Sequence, residues 1–133
     1  MSEAELEAER PTRTTRAYAD FLLRTATLGD FAELVAALLP CMWGYAEVGE
    51  RLAAAIADGD PAALARHPYG RWIAMYADDG FQALAAWCRE LTDRLGADAD
   101  AALRARMHAA FAESSRHELA FWDAAWRLER PAA

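Results

Sequence analysis

The sequence predicts an all-α protein, an antiparallel helical bundle. Apolar residues recur at a spacing near 3.6, alanine is abundant, and the seven glycines and five prolines fall mostly between the periodic segments. No alternating run of β-branched residues competes with that pattern. With 133 residues the chain is expected to form one small domain around a single core.

Residues 1 to 12 are charged and end in Pro-Thr, which predicts a frayed lead-in, with the helical domain spanning 13 to 130. Thr14 or Thr15 caps a first helix carrying Ala17, Tyr18, Phe21, Leu22 and Thr25, stopped by Gly29. Asp30 caps a second from about 31 to 57, with Leu34, Ala37, Leu38, Cys41, Tyr45, Val48 and Leu52 on its apolar face. Gly59 ends it, and Asp60-Pro61 opens a short helical turn. After His67-Pro68 comes a helix with Trp72, Ile73, Met75 and Tyr76, ending near Asp79-Gly80. Another carries Phe81, Leu84, Trp87, Cys88, Leu91 and Leu95 and closes at Gly96. The last, about 99 to 129, has Leu103, Met107, Ala110, Phe111, Ser114, Glu118, Phe121, Trp122, Ala125 and Leu128 on one stripe. Short connections make neighbouring helices antiparallel.

A formal charge of −7 argues against a nucleic-acid partner, which needs a clustered basic surface. The N-terminal MSEAELEAERPTRTTR lacks the apolar core of a secretory signal, and no stretch approaches the roughly 18 uncharged apolar residues of a membrane span. Cys41 and Cys88 lack C-x-x-C spacing and are expected to be free thiols in the cytoplasm. His67, His108 and His117 are scattered, so no metal site and no cofactor loop is expected.

Two residues stand out. Glu118 shares a stripe with Phe111, Phe121 and Trp122, where a carboxylate must be paired, hydrogen-bonded or partly protonated. It is either a structural partner of an Arg or helix end, or a general acid/base. Cys41 directly follows Pro40, which removes an N–H and pushes against the Ala36 carbonyl, so a bend is expected beside it. Tyr45 lies one turn further along the same face. Cys41 is either an inert small core residue or a thiol with space beside it. Cys88, between Trp87 and Leu91, reads as structural, and the tryptophans read as core, although several are suited to wall a flat ring.

Three segments together, AYADFLLRTATLGDFAELVAALLPCMWGYAEVGERL, HPYGRWIAMYADDGF and SSRHELAFWDAAW, resemble the C-terminal portion of the thiaminase II (TenA) family from about residue 12 onward. PCxWxY followed by EVG, YxxWIxxY and SSxxExxFW carry the resemblance. It implies a haem-oxygenase-like bundle and an aminopyrimidine hydrolase of thiamin salvage, without metal or cofactor. The substrate it implies is thiamin or 4-amino-5-aminomethyl-2-methylpyrimidine, the latter cleaved to the hydroxymethyl pyrimidine and ammonia. By the same resemblance Cys41 is the nucleophile, Glu118 the proton carrier, and Tyr45, Tyr18 and Tyr69 line the pocket.

The family's first helices, with an Asp and a stacking aromatic for the pyrimidine, have no counterpart in this sequence. The fold is therefore expected to be N-terminally truncated, with uncovered apolar faces and weak or no catalysis by an isolated monomer. A homo-oligomer or a complementing N-terminal chain is the expected partner, besides the small-molecule aminopyrimidine. The alternative is a non-catalytic helical binding or assembly module derived from that family.

Overall fold

The computed structural model describes residues 2–58, 60 and 62–131. They form seven helices in chain order: α1 (Glu3–Glu7), α2 (Arg13–Leu28), α3 (Phe31–Ile56), α4 (Ala63–Arg66), α5 (Gly70–Ala77), α6 (Asp79–Asp98) and α7 (Ala101–Trp126). There is no strand among the described residues. The lead-in is partly helical, since α1 forms one exposed turn rather than a wholly frayed segment.

Each long helix begins on a side chain that captures an otherwise unpaired N–H. Thr12, not Thr14 or Thr15, caps α2 by accepting from the Thr15 N–H. Asp30 and Glu33 form a reciprocal capping box on α3, and Arg106 of α7 reaches both carboxylates, at 3.0 and 3.2 Å. Asp78 and Asp100 cap α6 and α7. Because the Asp78 carboxylate accepts from the Gly80 N–H at 2.9 Å, Gly80 starts a helix rather than ending one. Gly96, expected to close that helix, lies inside it. Gly59 and Pro61 lie outside the described residues.

α3 is the central rod, packed against α2, α5, α6 and α7 and touched by α4. Among the described residues it is the one helix long and apolar enough to cross a membrane by length and composition, although Glu33 and Glu47 confine its uncharged run to 34–46. Contacts with five other helices account for the part of that apolar character that is buried. Those neighbours also decide which of its residues are buried: Ala36, Ala37, Leu39, Pro40, Ala46 and Gly49 are enclosed, while Leu38, Val48 and Leu52 of the expected face remain exposed. Small residues win because they let backbones approach closely.

One core cluster joins Ala32 and Ala36 to Ala99 and Met107, with Leu95, Leu103 and Phe111 against it. A second joins Phe21, Ala37 and Ala110, with Tyr18 and Leu22 alongside. This second cluster seats α2 across α3 and α7. On the other side, Gly49 lets α5 close onto α3 at Tyr76, and the Gln82 amide donates to the Ala46 and Tyr76 carbonyls at 3.0 and 2.8 Å. One side chain thus ties the end of α5 to α3 and α6.

Candidate active site

Cys41 and Tyr45 occupy successive turns of α3, Glu118 and Ser114 successive turns of α7, and Tyr18 comes across from α2. The Tyr18 hydroxyl donates to Glu118 Oε1 at 2.7 Å and lies 3.0 Å from Ser114 Oγ. Stacking holds the phenol ring: the His117 imidazole lies parallel to it, centroids 5.3 Å apart and planes within 5°. His117 is backed in turn by Phe21, at 5.1 Å, and approaches Glu113 at 3.6 Å.

Burial, reinforced by the negative charge of Glu118 beside it, pushes the Cys41 thiol up to about 11. The thiol is therefore protonated at neutral pH. Tyr45 is raised to about 12 by burial, then by the charge of Glu118 and of Cys41. Tyr18 is raised too, by burial foremost, and donates its proton without losing it. Three acidic groups thus surround one carboxylate in a partly dry site.

Tyr45 is one wall of an aromatic nest. Its ring lies 4.9 Å from Tyr76, 5.6 Å from Trp122 and 6.0 Å from Trp72, while Trp72 meets Trp122 edge-on at 6.0 Å. Trp122 is 44% exposed, so the nest has an open side, which an enclosed core cluster would lack. Glu118 also lines a groove of about 460 Å³, together with Pro40, Trp43, Gly44 and Phe111. A slightly larger groove of about 530 Å³ shares Trp43 and Phe111 but contains neither Cys41 nor Glu118.

Four of the five residues singled out from the sequence, Cys41, Glu118, Tyr45 and Tyr18, therefore meet. Tyr69 does not join them: it is 70% exposed at the start of α5, with its ring 6.0 Å from His67. Sequence reasoning left Ser114 without a role and did not connect His117 to Tyr18. Ser114 stood on the apolar stripe four residues before Glu118, which was the available signal. The Cys88 carbonyl accepts from the Thr92 hydroxyl, and no hydrogen bond to its thiol is found among the described residues. Among the described residues, no group of three or more His, Cys, Asp or Glu is arranged to hold a metal ion.

The model of the TENA/THI-4/PQQC family matches residues 1–128, so the likeness includes the lead-in and does not start near residue 12. An aminopyrimidine aminohydrolase of Halalkalibacterium halodurans is 39% identical over 95% of this chain and 54% of its own length. One of Bacillus subtilis is 38% identical over 97% of this chain and 52% of its own. A solved structure, a TenA homologue protein from P. horikoshii OT3, superposes with a TM-score of 0.74 at 31% identity, over 96% of this chain and 55% of that one. The chain spans about half the length of the relatives it matches.

Proposed function

We propose, for a chain that belongs to the TENA/THI-4/PQQC family, that it serves as an aminopyrimidine aminohydrolase of the thiaminase II type in thiamin salvage. The observation that carries this reading is the meeting of Cys41 and Glu118, a protonated thiol beside a carboxylate held by a phenol. The aminohydrolase relatives support the same reaction and, with it, a catalytic role over a purely structural one.

The chemistry balances with these groups alone. Glu118 takes the thiol proton as Cys41 Sγ bonds to a ring carbon of the pyrimidine, breaking its aromaticity. The exocyclic C–N bond then breaks, and the departing amine leaves as ammonia with the proton from Glu118. Water adds to the exocyclic methylene and gives a proton to Glu118. The C–S bond breaks, the ring regains aromaticity, and the thiolate recovers that proton. The net change is replacement of an amine by a hydroxyl. Tyr18 steadies one carboxylate oxygen, while Tyr45 and its aromatic neighbours offer faces for a flat heterocycle.

The aminopyrimidine is accordingly the partner of this site, and the cytoplasm its compartment. The apolar side chains left exposed on α3 and α7, Val48, Leu52, Phe121 and Trp122 among them, support assembly with a second copy or a complementing N-terminal chain. In that reading Tyr69 lines the pocket only in the assembled form.

The test is ammonia release from 4-amino-5-aminomethyl-2-methylpyrimidine by the purified chain, run beside Cys41→Ala and resolved by oligomeric state. Release confined to an assembled fraction and abolished in Cys41→Ala is expected. Release that survives Cys41→Ala, or none from any fraction even with the N-terminal half of a relative added, would sink the proposal.

A further inference from the structure

Ser114 is the most enclosed polar side chain among the described residues, with 0% of its surface reaching solvent. Hydroxyls inside helices usually return their proton to the carbonyl four residues back. Thr25, Thr27, Thr92 and Ser115 all do so here, with bonds of 2.8 to 2.9 Å. Ser114 instead turns across to another helix and meets the Tyr18 hydroxyl.

Counting protons settles the direction of that bond. A phenol has one proton, and an ionised carboxylate only accepts, so the Tyr18 proton goes to Glu118 Oε1. The Ser114 proton must then supply the 3.0 Å contact, donated to the phenol oxygen. The relay runs from Ser114 through Tyr18 to Glu118, from one turn of α7 out to α2 and back to the next turn. With the ring plane fixed by His117, the hydroxyl has little freedom to leave this line.

We propose that Ser114 is a positioning residue of the site: by donating to the Tyr18 oxygen it aims the phenol proton at Glu118 Oε1 and leaves Oε2 for proton exchange at Cys41. This deepens the proposed function and rests on Glu118 being its proton carrier. A donor behind the phenol polarises its O–H and strengthens the bond beyond, so the effect of Ser114 is transmitted entirely through Tyr18. The charge that Glu118 presents to the thiol is then partly offset. Removing either link restores that charge and makes Cys41 hold its proton more tightly.

The experiment is a double-mutant cycle on the alkylation rate of Cys41, in a Cys88→Ala background and at one pH below the thiol midpoint. Ser114→Ala and Tyr18→Phe are each expected to slow alkylation on the order of threefold, the loss of one modest hydrogen bond. The double variant should be no slower than Tyr18→Phe alone. An unchanged rate in Ser114→Ala, a faster one, or additive losses would overturn the role. In the unaltered protein, the Ser114 hydroxyl proton should show a nuclear Overhauser contact to the Tyr18 ring; a proton directed at the Ala110 carbonyl would overturn it without any variant. Because alkylation needs no turnover, absence of ammonia release would count against the proposed activity while leaving the cycle readable. An additive cycle would remove Ser114 and leave that activity standing.

Discussion

Gly49 and Tyr76 touch backbone to backbone: a Cβ built on Gly49 would sit 2.7 Å from both the carbonyl carbon and the Cβ of Tyr76. No rotamer change relieves such an overlap, because main-chain atoms of α5 and a Cβ fixed to them are the obstruction. The contact also sets Tyr76 against Tyr45 and so shapes the aromatic nest.

Gly49→Ala should therefore destabilise the fold by roughly 1 to 3 kcal/mol, despite the better helix propensity of alanine. Gly44, on the same helix, has nothing within 4 Å of a built Cβ. Gly44→Ala should stabilise by up to about 1 kcal/mol through propensity alone. Chemical denaturation of the two variants checks the pair, and a stabilised Gly49→Ala would refute the close approach.

Gln82→Ala should cost about 1 to 2 kcal/mol, because two carbonyls lose one shared donor. The loss should be local. Hydrogen exchange should quicken at the end of α5 before it does in α2, and uniform acceleration would contradict the tie between α5 and α3.

Alkylation of Cys41 should rise with pH to a midpoint near 11, and Glu118→Gln should lower that midpoint only in part, since burial is the larger cause. The sign for stability follows. The folded state holds the thiol proton more tightly than the ordinary value of 9.0 implies, so this contribution is complete below about 9 and is lost as pH rises through about 11. Melting of the wild type and Cys41→Ser across that range checks it, and parallel curves would count against the shift.

Acid should act at the opposite end through Asp30. Its carboxyl is held below the ordinary range by the Glu33 N–H and then by Arg106, so the capping contribution is present above that range and lost as pH falls through the depressed value. Asp30→Asn, which can still cap, should flatten the acid limb of a stability profile. An unchanged acid limb would show that the cap does not titrate with the fold.

Helix existence was legible in the sequence wherever a cap preceded a long apolar stripe, as in α3 and α7. Boundaries were less so, because Gly80 reads as a stop until Asp78 is seen capping the helix it opens. The apolar face of α3 was misread for a related reason: five neighbours press on it, and small residues rather than Leu38 or Leu52 take the closest contacts. Cys41 and Glu118 were legible because a thiol and a carboxylate are conspicuous on apolar faces. The nest of Tyr45, Trp72, Tyr76 and Trp122 was not, since its walls come from three helices whose crossing depends on Gly49. Tyr69 shows the converse, a residue chosen by resemblance that the fold leaves at the surface.

The raised proton affinity of Cys41 has a consequence for how the chain is made. Its causes are burial and a carboxylate on the final helix, and neither exists while the chain is still emerging. Until α7 docks, Cys41 has ordinary acidity and presents more thiolate than it ever does afterwards. Oxidation of Cys41 is therefore expected to be slower in the folded bundle than in the unfolded chain.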